Sequence, residues 1–387
     1  MLISSRFRHS AYRLVSSVSL LALTLGLAAC GGGQTDTTNT GETTAPTENQ
    51  SASAPIKVDL KSDVALTGAG ATFPAPLYQN WFVQLNGLIP QIQVNYQSVG
   101  SGAGVEQFTK GTVDFGASDV AMKDEEISKV SKGVLMLPMT AGSVVIAYNL
   151  PGVEGLKISQ ANLADIFLGN ITKWNDPKLV KDNPDAKLPD TPITVVHRSD
   201  GSGTTAVFTK YLSAISPEWK SAIGDGKSVQ WPTAKGKFIG GKGNEGVTAS
   251  IQQNQGSLGY IEYGYAKNNN ITMASLQNQA GQFIEPNDAS AADTLANVTL
   301  PPDLRAFIVN PEGEKSYPIV TYSWILAYKT YDDPEKAKAM EAMIQYGLTE
   351  GQKQSAELGY VPLPPTVVEK VAAAADVISP DFTITVK

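Results

Sequence analysis

Cysteine and histidine are almost missing from this chain. One Cys in 387 residues excludes an intrachain disulfide, a CxxC redox pair and a cysteine-rich zinc site. Two His exclude an HExxH motif and a multi-histidine metal cluster. Basic charge is short too. With 30 Lys+Arg against 37 Asp+Glu the formal charge is −7, and no basic run breaks the pattern, which argues against nucleic acid as the main partner. Long apolar runs are lacking as well: Leu14 to Ala29 is the main one, and it is short for a membrane span. Glycine, in contrast, is plentiful at 35 residues, about 9% of the chain against roughly 7% on average. A hydrophobic fraction of 42% is ordinary for a globular protein and supplies a sizeable core.

Arg6, Arg8 and Arg13 precede the Leu14–Ala29 run, which makes residues 1–29 a signal peptide by pattern. The run ends Leu27-Ala28-Ala29-Cys30. That tetrapeptide resembles a bacterial lipobox, in which the Cys becomes a lipidated first residue. Acyl chains bury methylenes at about 0.8 kcal/mol each, so the protein is expected to be lipid-anchored to a membrane through Cys30, in the periplasm or on the cell surface. Cleavage would remove three Arg, His9 and no acid, taking the charge from −7 to −10 and leaving His197 as the one histidine. Residues 30–59 are expected to be the lipidated Cys and a flexible tether, because 31–55 contain no Val, Ile, Leu, Met or aromatic residue to bury.

Beyond the tether, strand and helix patterns alternate. Residues 92–96, 144–148 and 193–196 are β-branched or alternating runs. Leu77, Tyr78, Trp81, Phe82 and Leu85 line one helix face, and Val207, Phe208, Tyr211, Leu212 and Ile215 repeat the spacing. Asp333-Pro334 opens a helix that Gly347 can close, and Gly359 can close the next. The pattern predicts an α/β protein with mainly parallel sheets flanked by helices, and its length predicts two lobes.

The glycines gather in small-residue turns between strands and helices: 66–74, 98–104, 115–119 and 197–205. A helix N-terminus offers unpaired N–H groups and partial positive charge, glycine lets the backbone approach closely, and Ser and Thr add donors, so several such ends together make an anion site. Three familiar motifs fit poorly. Gly201-Ser202-Gly203-Thr204-Thr205-Ala206 matches a dinucleotide-binding fingerprint, but Glu218, at the distance of the required acid, follows Ser216-Pro217 and reads as a helix start. Gly236 to Gly243 matches a phosphate loop up to Gly243, which stands where Ser or Thr should hold Mg²⁺, and its flanks do not read as strand and helix. Ser101 and Ser202 lie in no G-x-S-x-G elbow, and the one candidate base, His197, adjoins Arg198 at a strand end.

Longer motifs carry a resemblance. Gly68 to Pro76, Val113 to Asp119, Asp165 to Gly169, Trp174-Asn175-Asp176, Arg198 to Thr204 and Gly240 to Gly246 resemble the phosphate-binding protein (PstS) family of high-affinity phosphate ABC transporters. The likeness runs from about Leu66 to Val361. It implies a two-lobed periplasmic-binding-protein fold with two crossover strands as hinge, near Pro138–Gly142 and Tyr317–Thr321. Lobe 1 would be 60–139 plus 320–387, and lobe 2 would be 140–319. It implies inorganic phosphate in the cleft, an inner-membrane ABC permease as partner, a monomer, no cofactor and no enzymatic activity. The phosphate-binding positions it implies are Thr72, Phe73, Ser101, Asp119, Arg198, Ser202, Gly203 and Thr204, with Asp200 orienting Arg198. His197 departs from relatives that carry a second basic residue there, and a partly buried strand-end role is expected for it. An ionised Asp119 can only accept a hydrogen bond, so it would favour an anion that still carries O–H, phosphate, over fully deprotonated sulfate. The competing expectations are a phosphatase or hydrolase using Ser101 or Ser202, and a binder of another oxyanion.

Overall fold

The computed structural model describes residues 56–386. The expected signal peptide (1–29), Cys30 and most of the expected tether (30–59) lie outside the described residues.

The frame is a nine-stranded mixed sheet. In chain order the strands are β1 (Val64–Gly70), β2 (Ile92–Ser98), β3 (Phe115–Ser118), β4 (Val134–Asn149), β5 (Lys157–Ile158), β6 (Thr194–Arg198), β7 (Lys237–Gly241), β8 (Ser257–Glu262), β9 (Thr272–Met273), β10 (Ser275–Gln277), β11 (Phe283–Ile284) and β12 (Val320–Tyr328). Hydrogen bonding runs β2-β1-β3-β12-β4-β8-β6-β7, with β9 beside β4, while β11-β10-β5 form a separate small sheet. The pairs β2/β1/β3 and β8/β6/β7 are parallel. Between these two parallel groups stand β12 and β4, antiparallel to each other and to their outer neighbours.

β4 is sixteen residues long and serves both groups. Its first part, Val134 to Ser143, pairs with β12, and its second, Val144 to Asn149, pairs with β8. Thirteen of its sixteen residues are buried in one unbroken run, as expected of a strand covered on both faces, and β12 is buried throughout. The ladder between them slips at Ser323/Trp324, opposite Pro138. Proline has no N–H to give the ladder, so a bulge there is the ordinary solution.

Helices cover both groups. Ala75–Leu88 buries Leu77, Tyr78, Trp81, Phe82 and Leu85, the predicted face. Gly203–Ile215 buries Val207, Phe208, Tyr211 and Leu212. Pro334–Leu348 starts as expected, with the Asp333 carboxylate accepting the Glu335 N–H at 2.9 Å. Gly347 does not end that helix. It lies inside it because a Cβ there would stand 2.7 Å from Met139 Cε and 2.9 Å from the Trp81 ring, so the glycine serves close packing. Gly359, with φ +89°, ends the turns after the short helix Glu350–Lys353 rather than the helix itself.

Candidate functional site

Four of the glycine-rich turns sit at the carboxyl ends of parallel strands, where open α/β sheets hold their ligands. After β1 come Ala71 to Pro74 and the helix Ala75–Leu88, and after β2 come Gly100 and the helix Ser101–Thr109. Asp119 follows β3 directly, and β6 ends on Arg198, with Asp200 to Ser202 leading into the helix Gly203–Ile215. A fifth turn sits after β7, where Gly243 and Asn244 open the helix Gly243–Gln253. The helices Ala75–Leu88 and Ser101–Thr109 begin without a side-chain cap.

At the centre Arg198, only 4% exposed, meets Asp200 through a two-point fork: Nε to Oδ1 at 2.8 Å and Nη2 to Oδ2 at 2.5 Å. Such a planar bidentate pair fixes the guanidinium more firmly than a point contact. Burial alone would raise the Asp200 pKa, but the Arg198 hydrogen bonds and charge, with the Gly243 N–H at 3.0 Å, hold it below the ordinary carboxylate range. The remaining guanidinium nitrogen, Nη1, reaches Thr204 Oγ1 at 3.4 Å.

Asp119 is 1% exposed. Its Oδ1 accepts the hydroxyl of Ser323 on β12 at 2.9 Å. Its Oδ2 takes only long contacts, 3.4 Å each, from the Ser101 and Thr204 hydroxyls. Burial pushes its pKa up to about 7, against the opposing pull of Ser323, Arg198, Thr204 and Ser101. The same oxygen thus faces the same hydroxyls that would serve an anion.

The two parallel groups touch here. The Gly102 N–H donates to the Gly201 carbonyl at 2.8 Å. Gly203 lies so near the opposite wall that a Cβ on it would stand 2.3 Å from Ser101 Oγ and 2.7 Å from Asp119 Oδ2. Gly100, at φ +90°, abuts Asp200, whose Oδ2 would be 2.3 Å from a Cβ. Glycine is required at both positions for the walls to close.

Thr72, Phe73, Ser101, Asp119, Arg198, Asp200, Gly203 and Thr204 all fall at this junction. Thr72, Ser101, Ser202 and Thr204 are at most 1% exposed. The Ser202 oxygen is engaged locally, accepting the Thr205 N–H at 3.0 Å as the cap of its own helix, which still leaves its proton to donate. His197 turns away. Its Nδ1 lies 2.9 Å from the Arg198 carbonyl, its ring stacks on Trp231 at 5.0 Å, and burial lowers its pKa.

Four residues of the junction are absent from the sequence-based set. Asn244 bridges to Thr72, Tyr265 donates its hydroxyl to the Thr72 carbonyl at 2.7 Å, Ser323 holds Asp119, and Glu262, fully buried, accepts the Gly264 N–H at 2.8 Å. Asn244 stands in the Gly240 to Gly246 motif, which was the available signal. Ser323 reads as one small residue in a buried strand and gave none.

The unsuitable motifs also resolve. In Gly236 to Gly243 the strand β7 lies inside the motif and a helix does follow it, contrary to expectation, but no strand leads into Gly236 as a phosphate loop needs. Glu218 sits in the first turn of the helix Pro217–Ala222, capped by the Ser216 hydroxyl accepting the Trp219 N–H at 3.1 Å, as expected.

Residues 34–350 match the PBP superfamily domain. The phosphate-binding protein PstS of Pasteurella multocida is 46% identical over 312 residues, covering 80% of this chain and 89% of that protein. The protein of the same name from Haemophilus influenzae is 46% identical over 311 residues, covering 79% and 91%. This chain belongs to the PstS family of phosphate-binding proteins. The fold agrees: the crystal structure of a phosphate-binding protein from Stenotrophomonas maltophilia superposes with a TM-score of 0.65 over 80% of this chain and 93% of its own, at 20% identity. The α/β architecture is therefore the two-lobed periplasmic-binding-protein fold.

Proposed function

We propose that this chain is the extracytoplasmic substrate-binding component of a phosphate ABC transporter. It captures inorganic phosphate between lobe 1 (60–139 plus 320–387) and lobe 2 (140–319) and delivers it to an inner-membrane permease. The carrying observation is the junction of a buried Arg198–Asp200 fork with hydroxyls, uncapped helix starts and the buried Asp119 carboxyl group. Arg198 supplies permanent charge, while Thr72, Ser101, Ser202 and Thr204 supply O–H donors, and Phe73 and Gly203 supply backbone N–H. A dehydrated anion needs a donor for every oxygen, and neutral dipoles meet most of that need. Ionised Asp119 accepts a hydrogen bond from the O–H that phosphate keeps.

Processing at Cys30 would tether the chain to a membrane as a monomer. The protein is a binder and not an enzyme. The serine-hydrolase alternative has little support in the geometry: the Ser202 oxygen is a helix cap, and Ser101 faces Asp119 at 3.4 Å with no histidine beside it. Calorimetric titration of purified protein with phosphate, sulfate and arsenate tests the proposal. One-to-one phosphate binding with sulfate at least about a thousandfold weaker is the expected result. Equal affinity for sulfate and phosphate would overturn the role given to Asp119, and no phosphate binding would overturn the function.

A further inference from the structure

Asn244 is fully buried in the first turn of the helix Gly243–Gln253, and its side chain is committed at both ends. The Glu262 N–H donates to its Oδ1 at 3.0 Å. That bond fixes which end of the amide is oxygen, because an N–H cannot face the NH₂ group. The amide nitrogen is thereby aimed at Thr72 Oγ1, 2.8 Å away, and secondarily at Thr204 Oγ1 at 3.4 Å. The Asn244 backbone N–H points at the same Thr72 oxygen, at 3.1 Å.

A hydroxyl oxygen has two lone pairs and one proton. With both lone pairs of Thr72 Oγ1 accepting from Asn244, the proton has to be donated elsewhere. The Thr72 backbone is also held, its carbonyl accepting the Tyr265 hydroxyl at 2.7 Å. Thr72 belongs to the β1 turn and Asn244 to the β7 turn, on opposite walls of the cleft. The two bonds therefore exist only when the walls meet.

We infer that Asn244 is a positioning residue that makes the Thr72 hydroxyl an obligate donor to the bound anion, and does so only in the closed cleft. An unpaired threonine hydroxyl can rotate and offer a lone pair, which repels an anion. Asn244 removes that choice and couples donor polarity to closure. The inference rests on phosphate binding in this cleft.

A double-mutant cycle with Asn244→Ala and Thr72→Val, read by phosphate titration, tests it. Wild-type protein is titrated first. If it does not bind phosphate, the functional proposal falls before this one is reached. Asn244→Ala is expected to weaken phosphate binding by about tenfold to a hundredfold, the range for a hydrogen bond to a charged group. Introduced into Thr72→Val, the same change is expected to cost less than about threefold, because the hydroxyl it orients is gone. A merely structural Asn244 would cost the same factor in both backgrounds, and that result, or wild-type affinity in Asn244→Ala, overturns the inference. Should Asn244→Ala fail to fold, as judged by its melting curve, Asn244→Ser enters the same cycle with the same two outcomes.

Discussion

At the scale of single residues, Asp119 carries the sharpest expectation. Its pKa, raised from 3.8 to about 7 by burial, makes it an acceptor above neutral pH and a neutral donor below. Sulfate affinity should therefore rise as pH falls from 8 to 5.5, and Asp119→Asn should bind sulfate with no such pH dependence. Competition titrations at both pH values check this, and a flat wild-type profile would refute it. The same shift bears on stability. A carboxyl whose folded pKa lies above its unfolded value weakens the fold fully above about 7 and not at all below about 3.8. Integrated, that is at most roughly 4 kcal/mol. Ligand-free protein should thus gain stability from this group as pH drops from 8 toward 5, and the Asp119→Asn melting temperature should lack that part of the rise. Arg198→Lys tests the fork. An ammonium cannot make both bonds to Asp200, so phosphate affinity should fall about a hundredfold while the melting curve changes far less.

At the scale of elements, the helix Gly203–Ile215 joins two roles at its first turn. Its cap is Ser202, and removing a serine cap costs about 1 kcal/mol. Ser202→Ala should therefore lower the denaturation midpoint and, by losing a hydroxyl donor, weaken phosphate about tenfold. Its first residue is Gly203, where a methyl would occupy the space of Ser101 Oγ. Gly203→Ala is expected to leave both lobes folded, with an unchanged far-ultraviolet spectrum, and to abolish tight binding because the cleft cannot close. An unaltered phosphate affinity would show that closure does not bring these residues together. The elements themselves were largely legible: the helix faces at 77–85 and 207–212 and the strands at 92–96 and 193–196 announced themselves by period. Gly347 misled because a helix-ending glycine and a close-packing glycine look the same in sequence, and only Trp81 and Met139 on top of it tell them apart.

At the scale of the whole molecule, charge and closure meet. A formal charge of −7 gives an anion no long-range attraction, so affinity has to come from short-range bonds inside the cleft. Two ion pairs join segments of the two proposed lobes, Lys227 to Glu126 at 2.8 Å and Arg305 to Asp124 at 2.6 Å. Both pairs reach solvent, with side-chain exposures of 24% and 31% in the first and 24% and 83% in the second, and such pairs contribute about 1 kcal/mol or less. Raising salt from 0.05 to 0.5 M is expected to change phosphate affinity less than about tenfold through screening of these pairs. Glu126→Gln should remove part of that small dependence. A salt dependence of a hundredfold or more would show that global electrostatics, and not the local donors, governs binding.

Composition and motif determined much of this protein. The near absence of Cys and His excluded disulfides and cysteine- or histidine-built metal sites, the β-strand and helix periods pointed to an α/β protein, and the family resemblance carried by the glycine-rich turns implied most of the residues at the junction. Those signals are local, carried by residues next to one another in the chain. The tertiary structure decided what depends on distant segments meeting. Ser323 reaches Asp119 from 204 positions away, and Asn244 reaches Thr72 from 172. A serine in a buried strand and an asparagine in a helix start have no period or motif to mark such a partner. Their roles arise because paired strands and the meeting of two cleft walls bring one hydrogen-bonding atom within about 3 Å of another, a distance that only the folded chain sets.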